Sequence, residues 1–226
     1  MVRVHVLVEG QTEETFANKV LQPCFSSAGV FLYPRLVGKP GHRGGIGEYP
    51  RARRDILTTL RQDTDAFCTT MFDYYGMPAS WPNREAARQR PFAEKPVVIE
   101  QAILADIARE LGSAFNAARF IPYVQMYEFE ALLFSDPTLL ADGLDLADDS
   151  ETHRIRDQFQ SPEEINDSKQ TAPSKRIKAL SPGYSKVMDG VLISQKIGLS
   201  KMRAACSHFN EWLTRLETLA TVERIA

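Results

Sequence analysis

Acidic residues follow three short apolar runs that the sequence predicts to be strands. Glu9 comes after VRVHVLV, Asp73 closes AFCTTMFD, and Glu128 follows RFIPYVQMY. Because parallel strands place their carboxyl ends at one edge of a sheet, we expect these side chains to converge. Converging carboxylates repel one another, and Mg²⁺ or Mn²⁺ is the counter-charge that suits such oxygen ligands best. A metal ion held there could activate water and stabilise the charge on a phosphodiester during cleavage.

Two further acids lie close to this set in the sequence. Glu13 falls in the first turn of the helix that follows Glu9, and Glu130 is two residues beyond Glu128. Either could join the cluster. The alternative is that all these acids only close the turns at the ends of strands. The predicted metal ligands are Glu9, Asp73, Glu128 and Glu130, with Glu9 and Asp73 as the catalytic residues.

The elements that would position these acids alternate between strand and helix. The valines of VRVHVLV share one face of the first strand, which suits a sheet covered on both sides. Pro34 makes the second strand an edge or bulged strand. The alternation indicates an α/β fold with a mostly parallel sheet flanked by helices. Strands are predicted at residues 2–8, 30–37, 66–73 and 119–127, and helices at residues 51–62 and 96–111.

The composition of the chain changes after Asp136. Residues 143–150 are acidic, the segment SPEEINDSKQTAPSKR is polar, and the apolar residues beyond it follow a helical pattern. We therefore expect an α/β core at residues 1–136 and a C-terminal helical extension, residues 137–226, that packs on the sheet.

The net charge argues against general attraction to polyanions. The 226 residues carry a formal charge of −2, so any contact with nucleic acid must come from local basic clusters. The glycine-rich loop at residues 38–50 has no strand before a GxGxxG and no Walker lysine, which excludes dinucleotide and P-loop sites. An ordinary solvated surface is the alternative role for the basic residues. The candidates for nucleic-acid binding are Lys39, Arg43, Arg51, Arg54, Lys175 and Arg176.

The cysteines and apolar runs indicate a cellular compartment. The three cysteines lie far apart and form no CxxC pair, as expected for reduced thiols. No apolar stretch approaches the roughly 20 residues that span a bilayer, and the first residues do not follow the signal-peptide pattern. We expect a soluble cytoplasmic protein with no membrane contact.

Five segments together resemble a TOPRIM-related bacterial family that is itself a domain of unknown function. They are VEGQTEE, FDYYGMP, YEFEALLFSDP, PEEINDSKQTAPSKRI and IGLSKMRAACSHFNEWL, and they run in this order from Val8 to Leu213. TOPRIM is the metal-binding fold of topoisomerases, primases and OLD-family nucleases. The resemblance implies a Rossmann-like TOPRIM core in which Glu9 is a general acid or base near the metal and Asp73 is a metal ligand.

The sequence departs from the TOPRIM pattern at one position. TOPRIM domains generally carry Asp-x-Asp, and Tyr75 stands where the second Asp would be. This removes one ligand and puts two-metal cleavage in question, although Glu128 and Glu130 could supply the missing charge.

The resemblance implies a Mg²⁺- or Mn²⁺-dependent nuclease that acts on DNA or RNA in defence against phage or mobile DNA. An ATPase partner protein and a homodimer are assemblies that this interpretation allows. One alternative is a non-catalytic TOPRIM-like module that binds nucleic acid or an ATPase partner. Another is a hydrolase for a small phosphorylated substrate.

Overall fold

A parallel sheet lies at the centre of the molecule. The structure is a computed structural model that describes residues 1–38, 46–166 and 168–222. The strands run in the order β2-β1-β3-β4, and β5 also pairs with β3. Every pairing among them is parallel, which confirms the predicted α/β class. The strands are β1 (Val2–Val8), β2 (Val30–Leu36), β3 (Phe67–Asp73), β4 (Phe120–Ile121) and β5 (Val124–Gln125).

Helices cover both faces of this sheet, and after Ser135 the described elements are helical only. The predicted helices at residues 51–62 and 96–111 are confirmed, each beginning two residues earlier. A 3₁₀ helix spans Phe129–Ser135, and π-helical segments span Ala17–Leu21 and Lys186–Gly190. The α-helices are α1 (Gln11–Phe16), α2 (Gln22–Ser27), α3 (Tyr49–Gln62), α4 (Arg84–Arg88), α5 (Glu94–Leu111), α6 (Pro137–Gly143), α7 (Ser150–Arg156), α8 (Pro173–Leu180), α9 (Val191–Ile197), α10 (Leu199–Ala205) and α11 (Ser207–Val222).

Strand β1 is buried on both sides because its alternate side chains enter two different apolar clusters. Its valines, such as Val4, pack in one cluster with residues of the C-terminal helices, among them Trp212. Leu7 packs in the other cluster with Ile56 of α3 and Ile103 of α5. Continuous apolar residues in a strand are the expected sequence of an inner parallel strand. Residues after Asp136 therefore contribute to the same core as the first strand.

Strand β2 forms one edge of the sheet, as Pro34 predicts. The N–H of Leu32 points away from β1 and donates to Gln22 Oε1 instead. Since backbone groups alternate along a strand, the missing N–H of Pro34 also faces the open edge. The edge thus offers few free donors to another strand.

The prediction of one continuous strand at residues 119–127 is wrong. Pro122 has no N–H to donate and separates two short strands, β4 and β5. The hydroxyl of Thr70 on β3 bridges the break: it accepts from Tyr123 N at 2.8 Å and donates to Tyr123 O at 2.9 Å. Glu100 of α5 then accepts from Val124 N at 2.8 Å. Side chains of neighbouring elements therefore bond the backbone groups that a regular strand would have paired.

The cysteines form no disulfide, and the described helices are unsuited to crossing a bilayer. Cys68 and Cys206 are buried, Cys24 is exposed, and none of the three forms a disulfide. Among the residues that the structure describes, no helix combines the length and apolar character needed to cross a bilayer.

Candidate metal centre

The carboxyl ends of β1 and β3 bring Glu9 and Asp73 together. These strands are adjacent and parallel, with Val8 beside Met71, so the residues that end them lie side by side. Glu13 joins them from the first turn of α1, four residues after Glu9. One carboxylate oxygen from each residue lies within 4.8 Å of the other two. The result is a compact group of three acids, which we call the acid cluster (Glu9, Glu13 and Asp73).

Glycine at position 10 makes room for this arrangement. A Cβ atom there would lie 2.9 Å from Glu13 Oε2, too close for a side chain to fit without displacing the carboxylate. The backbone of Gly10 is extended, with φ −147°, which any residue can adopt. Glycine is therefore required here for its lack of a side chain and not for its freedom of φ. The Glu9-Gly10 turn therefore allows Glu13 to approach the strand ends.

Two oxygens of the acid cluster have no hydrogen-bond partner among the described residues. Within the described part of the chain, Glu9 Oε2 and Asp73 Oδ1 are buried and accept no hydrogen bond. Glu130 Oε1, on the 3₁₀ helix, is likewise buried and accepts no hydrogen bond from the described residues. A buried acceptor without a hydrogen bond lowers the stability of the folded protein. Carboxylate oxygens are preferred ligands of hard divalent cations, so a bound cation would satisfy these atoms. The donor set fits Mg²⁺ or Mn²⁺ on this observation.

Burial and mutual repulsion raise the pKa values of the cluster. Desolvation, followed by repulsion from Glu13, raises the pKa of Glu9 from 4.5 to about 8. Desolvation is also the main cause that raises the pKa of Glu13 to about 7. Asp73 is fully desolvated and faces Glu9, so its pKa lies well above 3.8. Without a cation, the cluster therefore retains protons near neutral pH.

The predicted ligands Glu128 and Glu130 lie beside the acid cluster rather than within it. Both oxygens of Glu128 accept hydrogen bonds from Ser174, one from its N–H at 2.9 Å and one from its hydroxyl at 3.0 Å. This fixes the start of α8. Glu130 accepts from Lys186 Nζ at 3.0 Å. Both glutamates are nevertheless close enough that Glu128 raises the pKa of Glu9 and Glu130 raises the pKa of Asp73.

Lys186 is a functional candidate that the sequence did not reveal. It lies on the π-helical segment after a turn, far along the chain from the acids, and no motif marks it. Its Nζ lies 3.7 Å from Glu128 Oε1, and 39% of its side chain is exposed. Burial lowers the pKa of Lys186, but attraction by Glu130, Glu128 and Asp73 outweighs burial and raises it. The ammonium is therefore charged and adjoins the acid cluster.

Tyr75 stays close to the acids without replacing the absent aspartate. Its N–H donates to Tyr127 O at 2.9 Å, which ties the chain after β3 to the chain after β5. Among the described residues, the third carboxylate near Glu9 and Asp73 comes from Glu13 on α1. The sequence had pointed to Glu13 only through its nearness to Glu9.

The predicted nucleic-acid-binding residues are spread over several places. Lys39 and Arg43 lie outside the described residues. Arg51 donates to Val37 O at 3.1 Å, and Arg54 is exposed on α3. Lys175 is exposed on α8. The neighbouring Arg176 donates to Thr171 O at 2.8 Å and lies 5.4 Å from the ring centre of Phe159. Their role in binding nucleic acid remains a prediction.

Comparison with known proteins gives a family match over almost the whole chain. The family described as "Domain of unknown function (DUF4276)" matches residues 8–217. No curated protein matches the sequence. A solved structure, the C-terminal region of the Xanthomonas campestris pv. campestris OLD protein, aligns over 100% of this chain and 99% of that chain, with 14% identity and a TM-score of 0.34. The family match places the chain among known proteins, and the structural similarity is too low to add to it.

Proposed function

The chain belongs to the DUF4276 family, and we propose that it is a metal-dependent phosphodiesterase or nuclease of TOPRIM type that acts on DNA or RNA. The observation that carries this proposal is the acid cluster, in which a buried oxygen of Glu9 and one of Asp73 have no hydrogen-bond partner in the described part of the chain. The resemblance of VEGQTEE to the first TOPRIM motif supports it. The setting that we propose is the cytoplasm, in defence against phage or mobile DNA.

The three residues of the acid cluster would hold Mg²⁺ or Mn²⁺, with water completing the shell. When bound, such an ion supplies Lewis-acid stabilisation of a phosphodiester and a water molecule of lowered pKa. Glu130 Oε1 is a further oxygen that could serve the same site, because it is buried and accepts no hydrogen bond from the described residues.

Side chains at the site could transfer a proton and could stabilise the negative charge of the phosphate. A general acid or base works best when its pKa lies near the working pH, and Glu9 and Glu13 meet that condition. Lys186 presents a half-exposed ammonium beside Glu130 and would attract a phosphate oxygen towards the acids. We propose Glu9 as the proton-transfer residue, Glu13 and Asp73 as the principal ligands, and Lys186 as the phosphate contact.

Cleavage assays with matched variants test this proposal. Purified protein with Mn²⁺ should cleave labelled single-stranded DNA, double-stranded DNA or RNA. Glu9→Gln and Asp73→Asn should each lower the rate by at least about 10²-fold. Glu14→Gln is the control, because Glu14 is an acid of the same helix outside the cluster. No cleavage by the wild type, alone or with its natural partner, would reject the proposal, and equal cleavage by Asp73→Asn would show that the acid cluster is not the catalytic site.

A non-catalytic module that binds nucleic acid or an ATPase partner is the second candidate. The observation that favours it is Tyr75, which stands in place of a metal ligand. Protection of cells against phage gives the discriminating measurement. If a strain carrying Glu9→Ala is protected as well as the wild-type strain, the binding module is the better account.

A further inference from the structure

Two further acids and one lysine adjoin the acid cluster. Glu128 and Glu130, which we call the outer pair, lie close enough that Glu130 raises the pKa of Asp73. The segment that begins with Lys186 packs against α1, which carries Glu13, and against the 3₁₀ helix, which carries Glu130. The five acids and the lysine therefore form one charged group around the candidate metal centre.

The ammonium of Lys186 neutralises charge on the outer pair. Its Nζ donates to Glu130 Oε2 at 3.0 Å and lies 3.7 Å from Glu128 Oε1. The side chains of Glu130 and Glu128 are only 0% and 6% exposed, so water solvates neither carboxylate well. A buried carboxylate needs a cation or hydrogen bonds in place of that water. Within the described residues, Lys186 is the cation that pairs with both acids.

Most oxygens of the outer pair already have partners. Both oxygens of Glu128 accept from Ser174, and Glu130 Oε2 accepts from Lys186. Glu130 Oε1 is the fourth oxygen, and it accepts no hydrogen bond from the described residues. Mg²⁺ needs several oxygen ligands at about 2.1 Å, so one free carboxylate oxygen is a poor site for an ion of its own. The acid cluster is better prepared, because it brings three carboxylates together.

The charge of Lys186 also opposes a second ion. Burial is the main influence on the pKa values of Glu9, Glu13 and Asp73 and raises them, and attraction by Lys186 acts in the opposite direction on all three. The field of the ammonium therefore reaches the whole acid cluster. A divalent ion beside Glu130 would lie next to this positive charge, and like charges repel more strongly in a buried site than in water. The lysine thus favours one divalent ion at this edge of the sheet over two.

We infer that the site holds a single divalent ion, bound by the acid cluster, and that the ammonium of Lys186 replaces a second ion as the counter-charge of Glu128 and Glu130. The inference rests on the proposed function for the reaction that the ion serves. It adds the number of ions and the side chain that replaces one of them. An ammonium has three donors, of which Glu130 takes one, so Lys186 can balance the outer pair and still donate to a phosphate oxygen.

Counting bound Mn²⁺ tests this inference without any substrate. Full-length protein is treated with EDTA, dialysed and titrated with Mn²⁺ by calorimetry at about pH 8, where protons compete less with the ion. The wild type should bind one Mn²⁺ per chain, and its electron paramagnetic resonance spectrum should be that of an isolated ion. Lys186→Gln should bind two, with a spectrum broadened by magnetic coupling, because paired ions in such sites lie about 4 Å apart.

Three control variants separate this role from a general effect of mutation. Lys186→Arg keeps the positive charge and should still bind one Mn²⁺. Lys201→Gln removes a lysine that pairs with Asp136, outside the charged group, and should also bind one. Adding Glu130→Gln to Lys186→Gln removes the carboxylate that the second ion would need, and the count should return to one. Circular dichroism shows whether each variant is folded, and the wild-type count decides the inference even if Lys186→Gln is not.

The outcomes distinguish this inference from the proposed function. If the wild type binds two Mn²⁺ ions and cleaves nucleic acid, the inference is wrong and the function stands. If the wild type binds one ion and Lys186→Gln binds two, but nothing is cleaved, the inference stands and the function fails. A folded Lys186→Gln that still binds one ion would show that the lysine does not replace a second ion. A wild type that binds no Mn²⁺ would overturn the inference.

Discussion

Neutralising Glu9 should stabilise the metal-free protein at high pH. Its pKa is raised from 4.5 to about 8, and each pKa unit corresponds to about 1.4 kcal/mol. At about pH 8 the carboxyl group therefore costs up to about 4 kcal/mol of folding free energy. Glu9→Gln removes that cost but leaves a buried amide, and an unsatisfied amide costs about 1–3 kcal/mol. We expect a net gain of about 1–3 kcal/mol at about pH 8.

The sign of the pH dependence follows from the direction of the pKa shift. Because the folded-state pKa of Glu9 is the higher one, the cost begins as pH rises through 4.5 and is complete only above about 8. At about pH 5 the cost falls to about 1 kcal/mol, and the gain of Glu9→Gln should disappear.

Urea unfolding in EDTA at both pH values measures this effect. Glu14→Gln, which removes an acid of the same helix outside the cluster, provides the control. If Glu9→Gln is no more stable than wild type at about pH 8, or if its gain is the same at both pH values, then the Glu9 carboxylate does not destabilise the metal-free protein.

Three further predictions concern the packing around the site, and urea unfolding measures each of them. Burial lowers the pKa of His208, but its hydrogen bond with Glu100 and the attraction of that carboxylate outweigh burial and raise it above 6.5. The pair therefore stabilises the folded protein fully below pH 6.5, and this stabilisation is lost as pH rises through the folded-state pKa of His208. His208→Gln should lower the free energy of unfolding more at about pH 6 than at about pH 9, and an equal loss at both pH values would contradict this. Ser174→Ala removes the hydroxyl that donates to Glu128 and should cost about 1 kcal/mol, whereas no change would show that the backbone bond suffices. Trp212→Ala should cost about 3–5 kcal/mol because this side chain is 2% exposed, and a cost below about 1 kcal/mol would refute its place in the core.

The strands could be predicted because their residue types indicate which faces are buried and which strand lies at the edge of the sheet. The valines of β1 alternate with residues of the opposite face, and Pro34 cannot donate within an inner strand. Pro122, like Pro34, has no N–H to donate and so could have indicated a break in the strand. The sequence predicts a continuous strand there because aromatic and β-branched residues on both sides continue the strand pattern.

The acid cluster could be predicted in part, for a related reason. Glu9 follows β1 and Asp73 ends β3, and these two strands are adjacent and parallel, so the nearness of the two acids follows from sheet topology. The place of Glu128 depends on hydrogen bonds to Ser174, and that of Lys186 depends on how a distant segment folds back over the sheet. Such pairings join residues with large sequence separations and leave no periodic pattern, so the sequence alone did not indicate them.

Calorimetric titration with Mn²⁺ shows whether the acid cluster binds a metal ion. The comparison is between the wild type and the double variant Glu9→Ala with Asp73→Ala, both first treated with EDTA and dialysed. The wild type should bind Mn²⁺ with release of protons near neutral pH, since the cluster holds protons that the ion displaces. The double variant should bind none at this site. A wild type that binds no Mn²⁺, or a double variant that binds it equally well, would contradict the assignment of the acid cluster as a metal centre.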